Sequence, residues 1–217
     1  MFTENLKMAE LLEMNPQLIL MLPRFNMNLG FGEKKVSEVC ESNNVPCPLF
    51  ILLCNIYTYN NYLPAKKEIQ EIDTNALINY LKKSHDYYLN QRLKHIGVHV
   101  ENIAKEAGDV GSILMKFFTE YKEEAEKLFQ SEETTVFPLL RDGKVVGLKN
   151  FEETHDGIND KLIDLTNIII KYLPPTLMNT ERINVWLDIS QFTKDIEKHT
   201  LIEEKILIPY VNYTQRR

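Results

Sequence analysis

Residues 189–209 read ISQFTKDIEKHTLIEEKILIP. Ile189, Phe192, Ile196 and Ile206 recur at three- and four-residue steps, the buried stripe of an amphipathic helix. His199 and Glu203 fall inside the same stripe, so both side chains are expected to face the core. Burying an imidazole and a carboxylate one turn apart costs free energy unless something compensates them. A metal ion suits both groups. A core histidine bonded to its own i+4 glutamate is the competing account of this pair taken alone.

A second copy favours the metal. Residues 128–138 read LFQSEETTVFP and residues 199–209 read HTLIEEKILIP, which aligns Glu132 with Glu203, Glu133 with Glu204, Phe137 with Ile208 and Pro138 with Pro209. A His-Asp pair stands upstream of each copy, His85-Asp86 at 43 residues and His155-Asp156 at 44. The C-terminal two-thirds therefore reads as two helix pairs of one pattern. The copies part at one position, where Leu128 stands against His199.

Residues 1–64 are expected to form a small helical domain, with pieces near Glu4–Met14, Pro16–Leu22, Lys35–Ser42 and Pro48–Asn60 and a turn at Gly30 and Gly32. Residues 65–73 (AKKEIQEID) read as a polar linker, and 74–213 as the remainder. The segment VSEVCESNNVPCPLFILLCNIY also fits a helix-turn-helix, but this domain carries four basic residues against six acidic ones. A DNA-reading domain carries the opposite balance. Net charge −6 likewise argues against nucleic-acid binding by general basicity. The longest apolar runs (PLFILLC, LTNIII) are too short to span a bilayer, and MFTENLKMAE lacks the features of a secretory leader. Cys40, Cys47 and Cys54, odd in number and spaced by seven, fit neither a disulfide framework nor a C-x-x-C zinc site, so a reduced cytoplasmic protein is expected.

Four long helices are predicted in 74–213. The first runs from Thr74 to about Ala107, with Gly108 as stop and Asp109 as the next N-cap. The second covers about 110–140 with the stripe Leu114, Phe118, Tyr121, Ala125, Leu128, Glu132, Val136 and Leu139, and Pro138 is expected to bend or fray its last turn. The third covers about 148–173 with Leu148, Phe151, His155, Ile158, Leu162, Leu165 and Ile169 inward, and the fourth runs from Asn179 or Thr180 to about Asn212. Short connections make neighbours antiparallel, which gives an all-α, up-down-up-down four-helix bundle preceded by the small helical domain. Counting residues from each connection gives each side chain its height, at about 1.5 Å per residue. From Gly108, His85 lies 23 residues back while Leu128 and Glu132 lie 20 and 24 forward. His155 is 19 residues before the last connection and His199 and Glu203 are 21 and 25 after it. His85, Glu132, His155, His199 and Glu203 thus fall in one layer, facing the core, and together read as a metal site. His95 and His99 lie roughly 15 and 21 Å along the first helix from His85, a surface or packing pair with a second, weak metal site as the outside reading. Tyr88 is either a donor to a ligand or a core tyrosine, Glu106 lies farther off, and Asp86 and Asp156 point to a neighbouring face.

A histidine on the first and third helices, with H-x-x-x-E expected on the second and fourth, resembles hemerythrin-like (HHE) domains. The likeness is closest to the RIC proteins, which repair iron–sulfur centres after nitrosative or oxidative damage and also carry a small helical N-terminal domain. Residues 15–60 resemble that domain in their Asn-Pro, Arg-Phe turn and following short helix, while its Cys-Cys pair would fall at Gly30-Phe31 and is absent. The resemblance implies a di-iron site with His85, His155 and His199 as terminal ligands and Glu132 and Glu203 as bridging carboxylates. Its remaining histidine falls at Leu128, which leaves one ion short of a ligand or a single ion bound tightly. Iron, in di-iron or mononuclear non-haem form, suits these ligands first, with manganese or zinc as alternatives.

Three functions stand as expectations. The first is an iron protein for iron–sulfur repair or stress response, with O2, NO or peroxide as small ligands and iron–sulfur proteins as partners. The second is a metal- or gas-sensing regulator whose N-terminal domain contacts a partner or DNA. The third is a degenerate bundle that binds metal weakly or not at all. A homodimer is allowed for. No nucleophile grouping or phosphate-binding glycine loop is present in the sequence, so turnover of a conventional substrate is left open.

Overall fold

The computed structural model describes residues 1–144, 148–175, 179–209 and 211. The described residues are helical, apart from turns and an antiparallel bridge between Lys7 and Lys35. The chain opens with α1 (Met8–Met14), a 3-10 helix over Pro16–Phe25, α2 (Val36–Ser42) and α3 (Cys47–Thr58). Asn44, in the left-handed region at φ 53°, turns the chain between α2 and α3. Leu49, Phe50, Leu52, Leu53, Cys54, Asn55, Ile56 and Tyr57 of α3 are all buried. A helix covered on so much of its circumference belongs to a core, which takes from it the exposed face that groove reading would need. Part of the expected linker is helical, as α4 (Lys66–Gln70).

Four long rods come next. The first is α5 (Thr74–Tyr87), a π-turn over Tyr88–Arg92 and α6 (Leu93–Glu106). Asp73 caps it, accepting from the Asn75 N–H at 2.8 Å. The second is α7 (Gly108–Ser131), a π-turn over Glu132–Val136 and α8 (Phe137–Arg141). Gly108, at φ +57°, makes the corner itself, so Asp109 sits inside the first helical turn instead of capping it. The third is α9 (Leu148–Asn167) with a π-turn over Ile168–Tyr172, and the fourth is α10 (Asn179–Ile202) with a π-turn over Glu203–Leu207. The expected inward side chains of Leu148 and Phe151, the side chain of Asp156 and the helix end at Asn212 lie outside the described residues.

Two π-turns depart from the pattern expected of the sequence. Pro138 neither frays nor ends its helix. A proline cannot donate to the carbonyl four residues back and its ring collides with it. Here the Phe137 N–H reaches back five residues to Glu132 O, and the rod continues. The wider turn holds an extra residue and rotates the helix beyond it, so the buried positions after Glu132 are Phe137 and Leu140 in place of the expected Val136 and Leu139. The fourth rod repeats this, with Ile208 N–H bonded to Glu203 O just ahead of Pro209.

Apolar residues form two clusters. One fills the bundle interior, bounded by Tyr87 on the first rod, Phe129 on the second and Ile196 on the fourth. The other joins the N-terminal helices to Leu77, Ile78 and Leu81 of the first rod, Phe137 and Leu140 of the second, and Ile202, Ile206, Leu207 and Ile208 of the fourth. Between these bounds, on three rods, lie His85, Glu132 and His199, with Glu203 one turn farther along the fourth rod, between Ile202 and Ile206. The N-terminal helices therefore cap one end of the bundle, directly over this polar layer.

An ion pair pins the cap. Arg24, fully buried, forms a two-pronged pair with Asp195 of α10, one turn before His199. Its guanidinium also donates to Tyr57 Oη at 2.9 Å and Tyr80 Oη at 3.0 Å, and lies over the rings of Tyr87 and Tyr88 at 4.8 and 5.0 Å. Lys198 adds a bond to the Ile56 carbonyl at 2.9 Å. Removing one partner of such a pair strands the other charge in a dry interior, at about 3–5 kcal/mol. Arg24→Met is therefore expected to lose about 3–5 kcal/mol in urea unfolding, and Arg24→Met/Asp195→Leu to lose less than that single variant. Equal or greater loss in the double variant would contradict the pairing.

Candidate metal centre

All four rods contribute to the polar layer. His85 lies near the end of α5, Glu132 and Glu203 open π-turns, His155 lies within α9 and His199 lies one turn before Glu203. All five are at most 3% exposed. The five residues picked out by the sequence are thus brought together.

Their contacts have a definite order. His85 Nε2 and His199 Nε2 face each other at 3.0 Å. Glu132 sends Oε2 to His85 Nε2 at 3.2 Å and Oε1 to His155 Nε2 at 3.1 Å. Glu203 sends Oε1 to His199 Nε2 at 3.2 Å and Oε2 to His155 Nε2 at 3.2 Å. Each carboxylate thus spans from the His85–His199 side to the His155 side.

Among the described residues, none of the four carboxylate oxygens has a donor in hydrogen-bond geometry, although an imidazole nitrogen stands near each. Fully buried acceptors are rarely left so. The spacings themselves suit a cation: two ligands about 2.1 Å from one ion and at right angles around it stand about 3 Å apart. One ligand atom each from His85, Glu132, His199 and Glu203 falls within 4.8 Å of the others. Imidazole and carboxylate together are a donor set for iron, manganese or zinc. The group could hold a metal on all these counts.

Glu133, to which helical periodicity assigns no role, completes one side. His85 Nδ1 donates to Glu133 Oε1 at 3.0 Å, and Lys82 holds the other oxygen at 3.3 Å. A carboxylate only accepts, so the proton is fixed on Nδ1 and Nε2 is aimed inward. The signal was available in the repeat, which pairs Glu133 with Glu204, but helical spacing alone points Glu133 away from the stripe. Aromatic rings pack the same imidazole, with Phe129 stacked on it at 4.3 Å. Tyr88 is fully buried in the bundle core, as the second of its two expected readings has it. Its hydroxyl donates to Asp195 Oδ1 at 3.0 Å and to no histidine, while its ring meets His199 edge-on at 5.5 Å. Leu128 is buried on the face of Glu132, one turn before it, as His199 is before Glu203. Asp86 is exposed and bonded to Asn90, and Glu106 is exposed at its helix end. The thiols of Cys40, Cys47 and Cys54 are all raised by burial, which keeps them protonated and poor ligands.

A family model described as Hemerythrin HHE cation binding domain matches residues 76–211, more than half of the chain and all five residues of the layer. No curated protein matches the chain.

Charge in the layer gives a pH dependence. Burial alone would lower the His85 pKa, but Glu132 and Glu133 outweigh it and raise it to about 9. Burial is likewise outweighed at His155, which Glu132 and Glu203 raise to about 11. Burial would raise the Glu203 carboxyl, yet His199 and His155 hold it well below the usual carboxylate range. With metal removed, the two raised histidines stabilise the fold fully below their ordinary value of 6.5, and this is lost as pH rises through about 9 and then about 11. Glu203 has the opposite sign, stabilising above its ordinary 4.5 and losing that as pH falls. A chelator-treated sample is expected to unfold at lower urea at pH 9.5 than at pH 6. Metal uptake at pH 7 is expected to release protons in a pH-stat, because His85 and His155 must give theirs up.

Proposed function

The chain belongs to the hemerythrin HHE cation-binding family. From that premise we propose that it is a non-haem iron protein that meets O2, nitric oxide or peroxide at a buried centre. Its cellular role in this reading is the repair of iron–sulfur centres under nitrosative or oxidative stress. The observation that carries the chemistry is the pair of carboxylates reaching both ways in a dry layer. His85, His199, Glu132 Oε2 and Glu203 Oε1 would hold one iron, and His155, Glu132 Oε1 and Glu203 Oε2 a second. The first set has two imidazoles. The second has one, because Leu128 stands where the repeat calls for a histidine. The centre is therefore unequal, with a tight position and a weak one.

Bound iron supplies a redox-active Lewis acid to which a small ligand can coordinate. The chain supplies the rest. Glu133 keeps the His85 proton on Nδ1, and Phe129 stacks against that imidazole. The N-terminal cap closes the bundle end over the layer and excludes bulk water, which strengthens every charge interaction inside. The repair role rests on the likeness of residues 15–60 to the N-terminal domain of RIC proteins. Burial raises the thiols of Cys40, Cys47 and Cys54 and keeps them protonated, so this reading assigns none of them as a carrier.

Anaerobic iron titration with metal analysis tests the centre. The wild-type protein is expected to bind one iron tightly and a second weakly. His199→Ala is expected to abolish the tight event, Leu128→His to strengthen only the weak one, and Glu133→Gln to weaken the tight one about 10–100-fold. Unchanged iron binding in His199→Ala would overturn the assignment. For the repair role, an inactivated iron–sulfur enzyme should recover faster with the iron-loaded wild type than with His199→Ala.

A further inference from the structure

A second set of metal-binding side chains meets on the flank of the bundle. His95 and His99 stand one turn apart on α6, and Asp188 reaches them from the antiparallel α10. One ligand atom from each of the three lies within 4.8 Å of the others. The meeting comes from the two helix periods. Glu181 and Asp188 are seven residues apart, two turns on one face of α10, and are set against two imidazoles one turn apart on α6. Glu181 consequently meets His99 and Asp188 meets His95.

The polar contacts orient the three groups. His99 Nδ1 donates to Glu181 Oε1 at 2.9 Å, which leaves Nε2 as the free ring nitrogen. Arg92 donates to Asp188 Oδ1 at 3.2 Å, while Oδ2 lies 3.2 Å from His95 Nε2. The two rings are 4.8 Å apart and nearly perpendicular. This repeats the logic of the buried layer, where Glu133 stands behind His85 as Glu181 stands behind His99. With both imidazoles neutral, Arg92, Asp188 and Glu181 leave one net negative charge, which favours a cation. His95 is 55% exposed, so an ion reaches the group from solvent and keeps open positions there.

We propose that His95, His99 and Asp188 bind a late first-row divalent cation, of which zinc is the natural probe. Two imidazoles and one carboxylate are a set that zinc accepts, with water completing its coordination. The ion would clamp α6 to α10, the helix that carries His199. The site lies about 15–21 Å along the first rod from His85, at about 1.5 Å per residue, and is separate from the buried centre.

The test is zinc titration of the full-length protein after anaerobic iron loading, followed by calorimetry and metal analysis. Wild type is expected to take up one more zinc per chain than His95→Ala, with iron content constant. Glu181→Gln is expected to bind that zinc about tenfold more weakly, and magnesium at the same concentration to give no uptake. Zinc should raise the thermal midpoint of wild type more than that of His95→Ala. Equal zinc uptake by wild type and His95→Ala overturns the proposal. That difference between two proteins does not depend on whether the buried layer takes iron, so the two readings fail separately.

Discussion

Two carboxylates sealed in a helical bundle, with no hydrogen-bond donor among the described residues properly aimed at either, impose the constraint on which the rest of the structure depends. A buried charge has to be paired, hydrogen-bonded or bound to metal. Glu132 and Glu203 are set against three imidazoles instead of lysines or arginines, and imidazoles are themselves neutral ligands as readily as they are cations. The layer could therefore exchange protons for a metal ion. Apolar clusters on both sides keep it dry, and the same dryness makes the choice of neutralising cation matter.

The position of the cap is part of that arrangement. Arg24 could have paired with any acid on the bundle surface, but it enters the interior and meets Asp195, one turn from His199. Tyr88 joins the two, with its hydroxyl on Asp195 and its ring edge on His199. Docking of the N-terminal helices and the setting of one imidazole of the layer thus share a single hydrogen-bonded group. A cap held by apolar contact alone would cover the layer; one held by this network also fixes the rotation of α10 above it.

Much of this was legible in the sequence because it is periodic. Helix type, antiparallel order and the heights of His85, Glu132, His155, His199 and Glu203 all come from a stripe and a residue count. The π-turns were not legible by that route. A 3.6-residue period carried through Glu132 predicts Val136 and Leu139 inside, and only the clash that Pro138 would make with an α-helical carbonyl explains why Phe137 and Leu140 are there instead. Glu133 was hidden for a related reason. It lies off the stripe of its own helix and reaches His85 across to another. Arg24 and Asp195 stand 171 residues apart, and no local pattern links them. The pair His95 and His99 was visible as a pair, but Asp188 and Glu181 are brought to it only by the packing of α6 on α10.

The internal repeat then acquires a physical meaning beyond symmetry. Both copies keep the carboxylate at the start of a π-turn and the proline six residues on, because the turn is what aims the carboxylate while the helix continues past the proline. The copies differ at the residue one turn earlier, His199 in one and Leu128 in the other. Exchanging imidazole for isobutyl removes a ligand and adds apolar surface in the same step. At Leu128 the layer consequently has less charge-stabilising power and a greasier wall. Such a wall favours an uncharged diatomic molecule over water, since water placed there would forgo hydrogen bonds that a gas never makes. In the proposed reading, the substitution that would weaken one metal position would also tune what can stand beside the other.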